Sequence, residues 1–258
     1  MQKYEDLIYE TRNGAATITI NRPERMNALR TKTFVELLEA VHCAAWDKEV
    51  RAIVLTGAGS RAFCVGGDTG EKKNNRVARG IIGVPLEELH SALRDAPKPT
   101  IAKVRGFAIG GGNVLATVCD LTIAAKGAVF GQVGPKVGSV DPGWGTAYLS
   151  RIIGEKKARE IWFMCRRYTA DEALAMGLVN KVVPDEELDA QVELWCQEIK
   201  DKSPTALAIA KRSFNADSEN IRGIGALGFQ AVALYYGTEE QKEQSASFAE
   251  KRRPVHSR

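Results

Sequence analysis

Two glycine-rich turns, each set directly behind a short buried strand, constrain this chain more than any other feature. Arg51 to Gly57 (RAIVLTG) is a brief apolar run, β-branched at its centre and closed by glycine, and AFCVGGD follows at 62–68. Thr100 to Gly106 repeats the arrangement, with Gly110-Gly111-Gly112 behind it. From those glycines a helical pattern opens over Asn113 to Asp120, and Leu121 to Ala125 reads as another strand. Strand, glycine turn, helix and strand thus recur along the first 140 residues, which is α/β organisation with crossover connections.

The flanking segments fit that reading. Ala16 to Ile20 has strand composition and is ended by Asn21-Arg22-Pro23. Phe34, Leu37, Leu38, Val41 and Ala45 recur at helical spacing over about 31–47, and Pro85 to Ala96 is helical. Thr69 to Gly80 is polar, basic and without period, so a mobile loop is expected. Thr169 and Glu172 form a capping box, Gly177 caps the end of that short helix, and Ser203-Pro204 starts another. The part after residue 140 reads as nearly all helix, and from Asp185 onward as helix only. A boundary near residue 200 separates an α/β core (1–200) from a helical C-terminal piece (201–258).

Composition narrows the function classes. With 258 residues and 44% hydrophobic content the chain can bury a sizeable core, and it has no uninterrupted apolar run of membrane-spanning length. Its beginning, MQKYEDLIYETRNG, carries acids early and no apolar signal stretch, so a cytoplasmic address is expected. Five scattered cysteines and three histidines, without CxxC or HExxH, predict reduced buried thiols and no metal site. Lysines and arginines are interleaved with acids, and only 7% of residues are aromatic, which disfavours a nucleic-acid surface.

A helix N-terminus presents free N–H groups, and glycine permits close backbone approach. Two such turns brought together supply two donors to one oxygen, an oxyanion hole. A glycine pair by itself more often only makes a tight turn. A dinucleotide fingerprint and a Walker loop are both absent.

AFCVGGD, GFAIGGGNVLATVCDLTIAA, FGQVGPKVGSVDPGWG, INRPERMNAL and TADEALAMGLVNKVV together resemble the crotonase (enoyl-CoA hydratase) superfamily over essentially the whole chain. The resemblance implies a spiral of ββα units with a helical trimerisation region, assembled as a homotrimer or homohexamer. It implies an acyl-CoA substrate, with coenzyme A entering as part of that substrate and no separate cofactor. It assigns the thioester oxygen to the backbone N–H groups of Gly67 and Gly111. Contacts to coenzyme A fall by the same likeness on Arg25, Met26, Ala28, Val65, Gly66, Gly67, Asp68, Phe248 and Lys251. Lys72, Lys73, Arg76 and Arg79 read as a solvated loop or as contacts to its phosphates.

Within the superfamily, the two glutamates of the hydratases correspond to Val114 and Gly134, neither of which transfers a proton. Ser139-Val140-Asp141 instead resembles the naphthoate synthase branch and, more closely, the ring-opening 2-ketocyclohexanecarboxyl-CoA hydrolases. Val133 stands where the synthases carry a threonine beside Gln132, and the 69–80 loop lacks their tyrosine; both departures favour the hydrolases. The likeness makes Ser139, Asp141 and Tyr236 catalytic, with Tyr236 reaching a neighbouring subunit's site. Locally, Asp141 and Ser139 also suit a turn, Tyr236 suits a helix core, and His90 is a solvated or core histidine or a substrate-pocket residue.

Overall fold

A computed structural model of the chain describes residues 3–71 and 79–255. The chain opens with an antiparallel hairpin, β1 (Leu7–Arg12) and β2 (Ala15–Ile20). Asn13 and Gly14 connect the strands, both at positive φ (53° and 84°), as a two-residue hairpin turn requires. After α1 (Thr31–Trp46), β3 (Ala52–Gly57) pairs parallel with β2.

Three long strands are each followed, within a few residues, by a short one. These are β3 with β4 (Ala62–Cys64), β5 (Thr100–Val104) with β6 (Phe107–Ile109), and β7 (Leu121–Ala125) with β8 (Val129–Gly131). The long members join a six-stranded sheet of order β1-β2-β3-β5-β7-β10, where β10 is Lys181–Val183. The short members form a second sheet, β4-β6-β8-β9, with β9 at Arg167–Thr169. Each turn of the spiral therefore adds a strand to both sheets. A helix returns the chain: α2 (Leu86–Asp95) after β4 and α3 (Gly111–Val118) after β6.

The second sheet supplies the second strand of each ββα unit that the resemblance implies, where the residue patterns by themselves showed one strand per unit; β9 and β10 correct the expectation of an almost wholly helical remainder after residue 140. Three-residue strands carry too little alternation to be distinguished from turns. From Asp185 on, the described chain is helical as expected. One cysteine also departs from expectation: Cys43 is exposed on α1, while Cys64, Cys119, Cys165 and Cys196 are buried free thiols. Burial pushes the thiols of Cys64 and Cys119 up to about 12, with no metal-capable group of His, Cys, Asp and Glu among the described residues.

Beyond β8 lie the short helix α4 (Gly134–Val137), a wide turn over Trp144–Tyr148, α5 (Leu149–Ile153) and α6 (Glu155–Met164). Next come α7 (Ala170–Ala175), whose capping box is present as expected, and α8 (Leu188–Lys200). The last three helices are α9 (Pro204–Asp217), α10 (Asn220–Tyr235) and α11 (Glu239–Ala249). They lie against the α/β part. The Lys211 ammonium donates to the carbonyls of Leu93 and Lys98, each at 2.9 Å, and pairs with Asp120 at 2.7 Å. Gly228 of α10 allows close approach, because a Cβ there would lie 2.3 Å from Pro142 Cβ. Ser245 of α11 donates to the Val137 carbonyl. No described helix is long and apolar enough to cross a membrane.

Candidate active site

The two glycine turns meet. A Cβ on Gly66 would stand 2.9 Å from the Gly111 nitrogen, and a Cβ on Gly111 would stand 3.2 Å from Gly66 Cα and 4.0 Å from the Gly67 nitrogen. Gly66 (φ 89°) has no room for a side chain, and one at Gly111 would press on the Gly66 backbone. Gly67 itself faces open space and is exposed. Gly110 (φ 57°) turns the chain into α3, so Gly111 N–H belongs to the free first turn of that helix. Neither the Gly67 nor the Gly111 N–H has a hydrogen-bond partner among the described residues.

The segment around Arg22 is bound to the first turn. Leu29 N–H donates to Gly66 O at 2.8 Å, and Asp68 N–H donates to Leu29 O at 2.9 Å. Asn27 is fully buried and donates to the carbonyls of Ala58 and Ala62, which anchors the segment under β4. Arg22 pairs with Asp68 at 2.9 Å and Arg25 pairs with it at 3.4 Å. Burial works to raise the Asp68 carboxyl, but the Gly70 N–H and the Arg22 guanidinium outweigh it and hold the group below its ordinary range. Arg25, Met26, Ala28, Val65, Gly66, Gly67 and Asp68 thus occupy one neighbourhood. Phe248, half-exposed on α11, and Lys251 just beyond it sit elsewhere, on the helix that packs against α4. Arg79 pairs with Glu88; Lys72, Lys73 and Arg76 lie outside the described residues.

Asp141 lies beside the second glycine turn. Its Oδ1 accepts from Gly145 N–H at 2.8 Å. A Cβ on Gly145 would lie 2.8 Å from Asp141 Cβ and 2.9 Å from Val114 Cγ2. Val114 is three residues past Gly111 on the same helix, so Asp141 lies beside the next turn of α3 after the free N–H groups. Burial pushes the Asp141 carboxyl up to about 6; the Gly145 N–H opposes this, the nearby Glu87 carboxylate adds to it, and the Trp144 N–H opposes it again. A buried carboxyl of that kind exchanges a proton near neutral pH.

The Gly134 position has no room for a side chain. A Cβ there would lie 2.4 Å from Ser139 O and 2.8 Å from Trp162 Cζ3. Ser139 Oγ lies 2.8 Å from Tyr236 Oη. Within the single chain Tyr236 thus meets Ser139, because α10 folds back over the 139–148 segment, while Gly145 holds Asp141.

His90 is wholly buried, and burial drives its pKa down to about 3, so the ring is neutral. Sequence reasoning passed over Glu87, three residues earlier on α2. The string LEELH carries it at helical spacing from His90, and that spacing was the available signal.

Comparison with known proteins bears on the family and the fold. The family model described as enoyl-CoA hydratase/isomerase matches residues 10–258. An enoyl-CoA hydratase from Mycobacterium avium subsp. paratuberculosis K-10 superposes with a TM-score of 0.88 at 27% identity, covering 99% of this chain and 100% of that one. An enoyl-CoA hydratase/isomerase from Pseudoalteromonas atlantica T6c does so with a TM-score of 0.88 at 26% identity, covering 98% and 100%. A monofunctional enoyl-CoA isomerase from M. smegmatis is 34% identical, with a TM-score of 0.71 and coverage of 83% and 94%. The spiral α/β fold expected from the sequence is the fold of these proteins.

Proposed function

This chain belongs to the enoyl-CoA hydratase/isomerase family, and from that premise we propose that it opens the ring of a cyclic 2-ketoacyl-CoA by hydrolysis of a carbon–carbon bond. The observation that carries this reading is the pairing of an impossible site with an available one. Gly134 cannot hold the glutamate that hydration by the family mechanism requires, and Val114 supplies no second one. Asp141, adjacent to Val114, is the buried carboxyl with a pKa near the working range.

The reaction assigned to the site is 2-ketocyclohexanecarboxyl-CoA plus water giving pimeloyl-CoA. Asp141 takes a proton from water as its oxygen bonds to the ring ketone carbon. The resulting alkoxide collapses to a carboxylic acid, and the bond from that carbon to the α-carbon breaks. The electron pair passes into the thioester, whose enolate oxygen lies between the N–H groups of Gly67 and Gly111. A proton then returns to the α-carbon, so the elements of one water are added overall. Tyr236, hydrogen-bonded to Ser139, is assigned the second proton transfer at the alkoxide or the α-carbon. Coenzyme A enters with the substrate, and the chemistry draws on no other cofactor.

The test is incubation with 2-ketocyclohexanecarboxyl-CoA and with crotonyl-CoA, with products identified by mass. The expected outcome is an adduct of one water with an opened ring from the first, and little or no hydration of the second. Brisk crotonyl-CoA hydration overturns the reading.

A further inference from the structure

Helix α2 carries Glu87, His90 and Arg94 along one stripe at spacings of three and four. Arg94 shows what the stripe faces. Its guanidinium carbon lies 5.0 Å from the Trp144 ring centre and 4.6 Å from that of Tyr148, and it donates to the Tyr148 hydroxyl at 2.6 Å. Trp144 directly precedes Gly145, whose N–H holds Asp141. The stripe therefore runs along the segment that carries Asp141, and Glu87 is near enough for its charge to act on that carboxyl.

The stripe is rich in polar atoms without partners. His90 is fully buried, and neither ring nitrogen has a hydrogen bond among the described residues. Glu87 Oε2 is buried and unpartnered in the same sense. Asn113, next to Val114 on α3, is fully buried with neither side-chain atom bonded. Each such group carries a desolvation penalty when nothing answers it. At the other end of the stripe Arg94 donates through its two terminal nitrogens to Tyr148 and Ser218, and only its Nε lacks a partner among the described residues, whereas both ring nitrogens of His90 and both side-chain atoms of Asn113 lack one. Unanswered polar groups beside a buried proton-exchanging carboxyl are what a site presents when a ligand supplies the missing partners.

We propose that Glu87 and His90, with Asn113, form the polar end of the acyl pocket and bind an oxygen on the acyl group of the thioester, a ring carbonyl or hydroxyl remote from the coenzyme. This deepens the ring-opening reading and rests on it. Neutral His90 offers one donor and one acceptor, and a Glu87 carboxylate accepts from a hydroxyl such as that of a hydrated ketone. The substrate class is then an oxygenated acyl-CoA, distinguished from a plain hydrocarbon acyl-CoA by these residues.

The test uses two ligands that cannot be cleaved, cyclohexanecarboxyl-CoA and 2-hydroxycyclohexanecarboxyl-CoA, with affinities measured by calorimetry on the intact protein. The wild type is expected to bind the hydroxylated ligand more tightly by on the order of 10-fold or more. Glu87→Leu and His90→Leu are expected to bring the ratio close to one, while the affinity for cyclohexanecarboxyl-CoA is kept. The ligand-free variants are expected to melt at the same or a higher temperature, because an unanswered polar group has been removed. Should a leucine variant fail to fold, Glu87→Met with His90→Met decides, since methionine fills the space without a strong donor or acceptor, with the same fall in ratio expected. An unchanged ratio, a wild type without preference, or a lowered melting temperature overturns the proposal and leaves the acyl-CoA reading standing. Failure of the wild type to bind either thioester overturns both.

Discussion

At the scale of single residues, Asp141 ties activity to stability. Its carboxyl ionises at about 6 in the folded chain against 3.8 for an ordinary aspartate. A carboxyl raised in this way binds its proton more tightly when folded. Its stabilising contribution is complete below pH 4 and is lost as pH rises through about 6. Asp141→Asn keeps an oxygen to accept from Gly145 N–H and removes the buried charge. At pH 8 the variant is expected to be more stable than the wild type, by on the order of 1–3 kcal/mol. The gap should close towards pH 4, as followed by thermal unfolding. Turnover should fall by roughly 10²–10⁴ in the same variant, and wild-type kcat should rise with pH through about 6. Equal pH dependence of stability in the two proteins would show that the carboxyl is not raised. Several residues of the candidate site were named from the string GPKVGSVDPGWG, because they lie close together in sequence. The environment of Asp141 was not readable there, since it comes from Gly145, Val114 and Glu87, and only folding brings Val114 and Glu87 to it. Glu87 escaped notice for a related reason: an acid in LEELH reads as solvent-facing until the helix is packed.

At the scale of elements, long periodic segments were legible and short ones were not. Helix α1 buries Phe34, Leu37, Leu38, Val41 and Ala45, the residues its spacing selects. Strand β1 has only Leu7 and partly buried residues facing inward, so its alternation is weak, and neither it nor the Asn13-Gly14 hairpin turn was read from the sequence. The docking of α9 depends on Lys211, which reads as one more lysine in AIAKRSFN. In the fold its ammonium is buried against Asp120 and two carbonyls, and Asp120 also accepts from Thr100 N–H and hydroxyl. Removing one member leaves the Asp120 charge and both carbonyls without their partner. Lys211→Ala is therefore expected to cost about 3–5 kcal/mol in denaturant unfolding. Lys211→Met, which refills the volume but not the bonds, should recover only a part. A loss below about 1 kcal/mol in both would mean that α9 is held by apolar packing alone.

At the scale of the whole molecule, the helical end carries apolar surface that the single chain leaves uncovered. Phe214, Leu227 and Leu234 are each more than three-quarters exposed on α9 and α10, and Leu227 and Leu234 border an apolar groove with Val140 and Pro142. An exposed patch of this kind fits self-association, as the trimer or hexamer expected from the sequence requires. The same helices bring Tyr236 to Ser139 within one chain. Assembly and the proposed chemistry would make different demands on this end of the chain: the exposed face of α10 is available to another copy, while Tyr236 at its end is bonded to Ser139 of its own chain. Sedimentation is expected to show an oligomer, and Leu227→Lys with Leu234→Lys is expected to dissociate it. Mixing distinguishes the two arrangements of Tyr236. Asp141→Asn and Tyr236→Phe are each expected to be nearly inactive. If both groups serve a site within one chain, every site in a mixed oligomer still lacks one of them, so co-refolded mixtures should be no more active than the variants alone. Recovery of a sizeable fraction of wild-type turnover in the mixture would mean that Tyr236 leaves Ser139 on assembly and completes the site of its neighbour.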